Sequence, residues 1–409
     1  MKKIITFLLA FVLIFSFAGC VNKAQYSQEE LAILQQRRDE AESYMRYMAT
    51  VLWRAEENII YSNSSSSTDP LSSKSQVHIV AGRLYQGIPY SHAAGGPNAF
   101  LEYAGEPDEN GIYQISGLTW HPLNGSNKTA RIGNDCASAL GLAWGRLGNS
   151  LLQDSSTKYM TADYGYLRVG EYESNSDANT YTVPVCEENG YDVMAAAYAQ
   201  LQKADGLVRR YQGDTNGHAI MVVSVNVEKT ADGAIDGNKS YITTLEQTSN
   251  LIEQERYEYN EQLGENVYLT YIVDKKYTFF ELFSAGYLPV TCKELIDPSP
   301  VAEPTATDSL TECSIDTLFQ GTLNSTRFME SVTVQICDKD SNVVQQCTAS
   351  PTNRKLYTFD MQTFKEDPPE VLRGSIDLEA LSPGTYQCNI ICRLITGDEI
   401  QVRTFEFTA

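Results

Sequence analysis

Apolar residues recur every three or four positions between residues 27 and 61, which is the spacing of one face of an α-helix. Acidic residues at positions 29 and 30 fall in the expected first turn. The segment predicts one long amphipathic helix, or two, packed on the domain that follows; a ligand-binding stripe is the alternative. Serines dominate residues 62–75, which predicts a loop. The recurring apolar residues are Leu31, Leu34, Ala41, Met45, Met48, Leu52, Ala55 and Ile59.

Between residues 76 and 296 the apolar pattern changes repeatedly from helical to strand-like spacing. Two segments have helical spacing, 135–147 and 191–201. Strand-like runs, rich in β-branched and aromatic residues, lie at 206–211, 218–227, 240–247 and 267–273. This mixture of elements predicts an α+β domain.

A proline-containing stretch separates that domain from the C-terminal part of the chain. Residues 297–308 hold three prolines, which disfavour helix and sheet alike and predict a linker. Residues 309–409 contain short β-branched and aromatic runs separated by turns such as Ser382-Pro383-Gly384. We expect a small all-β sandwich there.

The first twenty residues have the layout of a secretory signal. Two lysines precede an apolar stretch from Ile4 to Phe17, and Ala18-Gly19-Cys20 follow. The segment resembles a bacterial lipoprotein signal, in which residues 1–19 are removed and Cys20 is lipidated. An ordinary signal peptide cut near this point is the alternative. We therefore expect residues 20–75 to be an N-terminal helical segment and loop, anchored by lipid on Cys20 at the extracellular face of the cytoplasmic membrane.

The charge of the chain excludes one class of function. The sequence has 31 basic and 52 acidic residues among 409, a formal net charge of −21. So acidic a surface repels nucleic acid, so nucleic-acid binding is not expected. The 42% hydrophobic content is that of a globular protein rather than a disordered one.

The cysteines and histidines do not form a metal-binding pattern. The four histidines lie far apart, and no Cys or His pair has ligand spacing. Eight cysteines remain after Cys20, and their irregular spacing predicts no specific disulfide. We expect neither a metal nor an organic cofactor, and the oligomeric state is not predicted.

One cysteine occupies a position suited to catalysis. Asn134 or Asp135 is a good N-cap for the helix that follows, and Cys136 falls in its first turn. A first-turn thiol is near the positive end of the helix dipole, which lowers its pKa and favours a nucleophilic thiolate. A buried structural cysteine is the alternative.

A thiolate nucleophile needs a base, and His218 is the best candidate because it opens an apolar strand that would hold it rigidly. If the following hairpin is centred on Asp232-Gly233, Gln247 lies opposite His218 on the next strand. A shift of one residue places Glu246 there instead. Either side chain can orient the imidazole, and a satisfied core histidine is the alternative.

The order of these parts resembles the papain-like cell-wall hydrolases of the NlpC and CHAP types, over roughly residues 80–250. Asp135-Cys136-Ala137-Ser138 is similar to the D-C-S-G signature of the NlpC type. Gly87-Ile88-Pro89-Tyr90 with Gly95-Gly96 resembles its G-x-P-Y…G-G segment, and the resemblance implies an oxyanion role for Tyr90. Gly217-His218-Ala219 fits both types, and Glu246-Gln247-Thr248 resembles the CHAP-type E-x-N.

Two features depart from the pattern of these hydrolases. Lys203 and Ala204 replace proline and glycine in the L-x-P-G-D turn, which could reposition Asp205. The interval from Tyr90 to Cys136 is long, and its inserted segment, residues 97–132, either walls the cleft or is a plain surface loop.

The resemblance implies a cysteine amide hydrolase, with Cys136 as nucleophile, His218 as base and Glu246 as the third catalytic residue. It assigns Tyr90, Asp135 and Gln247 to the oxyanion and substrate region. For a lipid-anchored bacterial protein we expect the peptide of peptidoglycan as substrate, cleaved by a stem-peptide endopeptidase or a muramoyl-alanine amidase. The alternatives are an inactive papain-like fold that serves as a surface binding or scaffold lipoprotein, and a transglutaminase-like enzyme.

Overall fold

A computed structural model of the chain describes most of the sequence beyond residue 25. The described residues are 26–62, 76–91, 95–116, 133–149, 166–173, 181–210, 217–248, 255–311, 320–349, 354–360 and 371–409. The predicted signal, Cys20, residues 63–75, His92 and the segment 117–132 lie outside them. No helix among the described residues is both long and apolar enough to cross a membrane.

The described residues form an α+β protein, as the sequence predicts. Its helices are α1 Gln28–Thr50, α2 Pro97–Ala104, α3 Cys136–Arg146, α4 Thr182–Asn189, α5 Tyr191–Tyr198 and α6 Phe279–Ser284. The strands before residue 300 are β1 Leu52–Ala55, β2 Ile59–Ser62, β3 Gln76–Ile79, β4 Leu84–Gln86, β5 Ile112–Ile115, β6 Leu167–Arg168, β7 Gly206–Arg210, β8 Gly217–Asn226, β9 Tyr241–Gln247, β10 Tyr257–Asn260, β11 Glu265–Leu269, β12 Tyr271–Thr278 and β13 Leu288–Thr291. The C-terminal strands are β14 Ala306–Asp308, β15 Gln320–Cys337, β16 Val343–Ala349, β17 Arg354–Asp360, β18 Val371–Ser375, β19 Thr385–Leu394 and β20 Glu399–Thr408.

The predicted N-terminal helix is present but is shorter than expected. It begins with a capping box, in which Ser27 and Glu30 bond each other's backbone amides, and it ends at Thr50. The prediction that helix continues to residue 61 is wrong. Burial alternates from Leu52 onward, with Trp53 fully buried, and this two-residue period forms strand β1.

A six-stranded sheet, in the order β12-β9-β8-β7-β13-β6, forms the centre of the protein. Strands β7, β8 and β9 confirm three of the predicted strands, and α5 confirms the second helix to within three residues. The predicted strand 267–273 is wrong as a single element, because the chain leaves one sheet at Leu269 and enters another at Tyr271. Hydrophobic periodicity does not report such a change of sheet.

Helix α3 packs on the central sheet at a glycine. A Cβ on Gly206 of β7 would come within 2.8 Å of the Leu140 side chain and 3.1 Å of Trp144, so only glycine lets the helix approach this closely. The Trp144 indole donates to the carbonyl oxygen of Ala204 at 2.8 Å. These contacts fix which face of the sheet the helix covers.

The altered turn before β7 keeps Asp205 inside the protein. Ala204 has φ +67°, the left-handed conformation that glycine adopts more easily. Asp205 is buried, and its carboxylate pairs with Arg38 of α1 at 3.0 Å. Helix α1 is thereby joined to the start of β7.

The C-terminal region is all-β apart from a short 3₁₀ turn at Leu378–Ala380 among its described residues, and the sandwich itself stays a prediction. Its strands are antiparallel, and the long strand β15 changes neighbours midway. The first half of β15 pairs with β14 and β17, and from Met329 onward it pairs with β19 and then β16. The residues expected to be a linker are partly structured, because β14 forms at their end and Arg37 donates to the carbonyl oxygens of Asp297 and Ser299.

Candidate active site

Cys136 is the first residue of α3, as predicted. Asp135 is the N-cap: its carboxylate accepts the amide N–H of Ser138 at 2.8 Å, and the Ser138 hydroxyl oxygen accepts the amide N–H of Asp135 at 2.8 Å. All three residues are buried. This reciprocal capping fixes the direction in which the helix begins and therefore the position of the thiol.

Three backbone amides act on the sulfur atom. The N–H groups of Ala219, Ala137 and Cys136 itself each lower the pKa of the thiol and so favour the thiolate. Burial works against them, and the Asp135 charge adds to its effect. Together these two raise the pKa of Cys136 to about 12. The expectation of a lowered pKa for Cys136 is therefore wrong, because desolvation and the neighbouring carboxylate outweigh the lowering effect of the backbone N–H groups at the helix start.

The register of β8 and β9 decides which side chain meets His218. Met221 pairs with Leu245 and Val222 with Thr244, and a bulge at Val223 then shifts the pairing by one residue. Both predicted registers are wrong, because neither Gln247 nor Glu246 lies directly opposite His218. Glu246 instead lies diagonally across from His218 on the same face of the sheet.

The imidazole and this carboxylate form a short hydrogen bond. His218 Nε2 lies 2.6 Å from Glu246 Oε2, and the Tyr277 hydroxyl donates to Glu246 Oε1 at 3.0 Å. Burial would raise the pKa of Glu246, but the hydrogen bond and charge of His218, followed by Lys275 and Tyr277, lower it below its ordinary value. The carboxylate is therefore charged at neutral pH and fixes the ring, which leaves Nδ1 as the nitrogen suited to accept a proton.

Alternation along β8 directs neighbouring residues to opposite sides. Gly206 of β7 faces α3 and pairs with Met221 of β8. Met221 and Ala219 therefore face α3 as well, whereas the His218 ring projects from the opposite face of the sheet. The β8–β9 ladder starts only at Met221, and the backbone N–H of Ala219, two residues before it, is one of the groups that lower the pKa of the Cys136 thiol. No direct hydrogen bond joins the Cys136 sulfur to the His218 ring, although both residues belong to the described part of the chain.

Gln247 belongs to a different part of the site from Glu246. It faces α3, and its amide Nε2 donates to the carbonyl oxygen of Ile88 at 3.1 Å. The Thr270 hydroxyl donates to the same oxygen at 3.0 Å. Gln247 is thus a support of the segment that carries Tyr90.

That segment runs beside the start of α3. Tyr90 forms a parallel bridge with Asn134, whose amide donates to the Pro89 carbonyl oxygen at 3.1 Å. The Tyr271 hydroxyl donates to the Asn134 side chain at 2.9 Å. Half-buried Tyr90 is therefore held beside Asn134, the residue directly before the N-cap of the cysteine helix, in the region where its oxyanion role is predicted.

Several side chains of this site escape sequence reasoning. Asn134, Thr270, Tyr271 and Tyr277 all bond to predicted site residues or to the segments that carry them. Tyr271 and Tyr277 lie on β12, whose start was predicted as part of the same strand as β11. The face of the sheet from which each side chain projects was therefore not predicted. Only Asn134 had a signal, as the alternative N-cap.

Among the described residues no group of three or more histidine, cysteine, aspartate or glutamate side chains is placed to hold a metal ion. The described cysteines form no disulfide with one another, and all of them are buried.

No family model matches the sequence, and the searches of curated proteins and of solved structures found no match either.

Proposed function

We propose that this protein is a cysteine amide hydrolase of papain-like type, anchored by lipid on Cys20 outside the cytoplasmic membrane. The observation that carries the proposal is the set of groups around Cys136 and His218. The thiol lies at a capped helix start, and one of the groups that lower its pKa is the backbone N–H of Ala219, which follows His218 directly in the chain. The His218 ring is in turn held by a buried carboxylate at 2.6 Å.

In the proposed reaction, Nδ1 of His218 takes the proton of the Cys136 thiol as the sulfur attacks a peptide carbonyl carbon. The Cys136 amide and the Tyr90 hydroxyl donate hydrogen bonds to the oxyanion. The C–N bond then breaks, and the leaving amine takes its proton from His218. Water, deprotonated by His218, hydrolyses the thioester and returns the thiol. The His218 ring projects from the face of the sheet opposite α3, so this step requires the ring and the thiol to come together at the start of β8 when substrate binds.

The peptide of peptidoglycan is the proposed substrate. A lipid anchor would hold the enzyme next to the cell wall, where this peptide is the abundant source of amide bonds. We favour a stem-peptide endopeptidase, with a muramoyl-alanine amidase as the second choice. That choice of bond rests on the resemblance to the NlpC and CHAP types.

Thiol labelling combined with muropeptide digestion tests the proposal on the full chain purified in detergent. Iodoacetamide adducts are located by mass spectrometry in the wild type, Cys136→Ser, His218→Ala and Cys392→Ser. Cys392 is the matched control, because it is buried in the C-terminal sheet and burial also raises its pKa to about 12. We expect muropeptide cleavage in the wild type and in Cys392→Ser, and its loss in the other two variants.

A binding lipoprotein is the second candidate. Its support is the raised pKa of Cys136 together with the missing hydrogen bond between the sulfur and the His218 ring. Under this alternative the full chain retains muropeptides unchanged, and Cys136→Ser does not alter their binding. Cleavage of muropeptides by the wild type would exclude it.

A further inference from the structure

A carboxylate of the C-terminal sheet is buried where that sheet meets the region around Cys136. Glu330 lies at an irregularity of β15, where Met329 pairs with Leu394 and Ser331 with Arg393. The ladder skips Glu330, and such a bulge re-aims the side chain that it carries. Glu330 is only 1% exposed.

Glu330 provides the N-terminal cap of α2. Its Oε2 accepts from the Asn98 side chain at 2.7 Å, and the backbone N–H of Asn98, in the first turn of α2, lowers the pKa of the same carboxylate. The Tyr44 hydroxyl donates to Oε1 at 3.4 Å. The N-cap residue of α2 is Gly96, which has no side chain for this purpose. A residue more than two hundred positions later therefore supplies what the local sequence lacks.

The capped segment is bonded directly to the strand end that precedes the cysteine helix. The amide N–H of Gly95 donates to the carbonyl oxygen of Gly133 at 2.7 Å, three residues before Cys136. Gly96 lies so close to Glu330 that a Cβ there would be 2.4 Å from Oε1. Hydrogen bonds and close packing thus run from Glu330 through residues 95–98 to the start of α3.

The C-terminal sheet also contacts the other end of α3. A Cβ on Gly145 would lie 2.9 Å from the Ile395 side chain, and Arg146 donates to the Ile395 carbonyl oxygen at 3.3 Å. Ile395 and Phe328 are buried in the same core as α3, rather than in the core of their own sheet. The sheet therefore holds the helix at its end and the segment beside its start.

From this geometry we propose that Glu330 is a positioning residue, which holds residues 95–98 against Gly133 and so fixes where the Cys136 helix begins. The C-terminal sheet is then a structural part of the Cys136 site and not only a separate binding module. The effect of Glu330 on catalysis rests on the proposed function. Its effect on the position of residues 95–98 and of the helix start is measured without any turnover.

The test compares four full-length variants: Glu330→Ala, Glu330→Gln, Gly96→Ala and Gly96→Ala combined with Glu330→Ala. Hydrogen exchange of peptides covering residues 95–98 and 133–136 is followed together with iodoacetamide labelling of Cys136. Asp308→Asn is the control for general weakening, because Asp308 pairs with Arg403 at 2.7 Å within the same sheet. Muropeptide turnover is recorded in parallel.

We expect Glu330→Ala to speed exchange in both peptides about tenfold and to change Cys136 labelling several-fold. Glu330→Gln should restore most of the protection, because its amide oxygen still accepts from Asn98 and its NH2 group can donate to Tyr44. Gly96→Ala should disturb the wild type but add nothing to Glu330→Ala, since the atom it would strike is gone.

Two results would overturn the positioning role. One is a Glu330→Ala protein that loses overall stability as Asp308→Asn does but keeps wild-type exchange in both peptides. The other is a Glu330→Gln protein that is no better protected than Glu330→Ala. Failure of the proposed function gives a different result. The wild type then shows no muropeptide turnover, but hydrogen exchange in the two peptides still speeds up in Glu330→Ala.

Discussion

His218 and Glu246 meet diagonally across two strands, with Nε2 of the ring 2.6 Å from Oε2 of the carboxylate. Neither residue is directly opposite the other in the register of β8 and β9. The pair is well shielded, because the His218 side chain is 12% exposed and that of Glu246 only 2%. A fixed, nearly dry carboxylate is what an imidazole base requires to keep one orientation while it takes and gives a proton.

The first prediction concerns the pH dependence of this pair. Because the pKa of Glu246 is lowered in the folded protein, its contribution to stability is complete above the unfolded value of about 4.3 and is lost as the pH falls through the lower folded-state value. We expect the stability difference between wild type and Glu246→Gln to be constant from pH 7 to about 5 and to shrink below it. Urea unfolding at a series of pH values measures this.

His218→Ala is the control for that experiment, because it removes the main group that lowers the pKa of Glu246. In the His218→Ala background, Glu246→Gln should no longer produce the same pH-dependent difference. A difference that persists unchanged would show that the carboxylate is stabilised by other contacts.

The second prediction concerns the reactivity of Cys136. After burial, the Asp135 charge is the largest cause of its raised pKa. Asp135→Asn removes the charge and retains an oxygen that accepts the Ser138 amide, because asparagine caps helices as well as aspartate does. We expect iodoacetamide to label Cys136 about threefold to tenfold faster at pH 8 to 9, since each unit of pKa changes the thiolate fraction about tenfold.

Ser138→Ala is the matched control, since it weakens the same cap without changing any charge. Its labelling rate should stay near that of the wild type. If Ser138→Ala accelerates labelling as much as Asp135→Asn does, loosening of the helix start and not electrostatics governs the thiol.

The third prediction concerns the Ile88 carbonyl oxygen, which accepts from both Gln247 and Thr270. A carbonyl oxygen has two lone pairs, so losing one donor still leaves one hydrogen bond. Gln247→Leu also removes a buried Oε1 that lacks a hydrogen-bond partner among the described residues. We therefore expect each of Gln247→Leu and Thr270→Val to cost about 1 kcal/mol or less of unfolding free energy.

The double variant should cost more than the sum of the two single ones, by about 1–3 kcal/mol, because the Ile88 oxygen is then buried without a donor. Denaturant unfolding of all four proteins gives the coupling energy. Simple additivity would mean that water or another donor replaces the lost groups.

Local signals in the sequence predicted the cysteine helix well. The N-cap, the first-turn cysteine and the helical segment itself depend on residues close together in the chain, and the structure has them where they were expected. The register beside His218 could not be predicted in the same way. It depends on the bulge at Val223 and on where β9 separates from β8, and no residue type marks either feature.

Long-range pairings were equally invisible in the sequence. No residue near Glu330 in the chain indicates that it bonds to the start of a helix. Thr270 lies in the segment that was predicted as one continuous strand. The pKa of Cys136 was predicted with the wrong sign for a related reason. A helix start is visible in the sequence, whereas the depth at which it is buried is set by the whole fold.

The buried ion pair between Arg38 and Asp205 leads to the last prediction. Both side chains are at most 5% exposed, and Arg38 also donates to the carbonyl oxygens of Lys203 and Leu295. Arg38→Ala leaves the Asp205 charge buried, with the Thr291 hydroxyl and the Gln202 amide as its remaining donors. We expect a loss of about 3–5 kcal/mol in unfolding free energy, because an uncompensated buried charge is far more costly than the pair is worth.

A surface ion pair provides the matched control for this last prediction. Arg54 and Glu265 are also bonded, but their side chains are 23% and 36% exposed, so Arg54→Ala should cost about 1 kcal/mol or less. Adding Asp205→Asn to Arg38→Ala should recover part of the loss, because it removes the stranded charge. If the double variant is less stable than Arg38→Ala, the cost comes from the lost hydrogen bonds of Arg38 to the carbonyl oxygens of Lys203 and Leu295. The turn before β7 then does not depend on charge neutralisation.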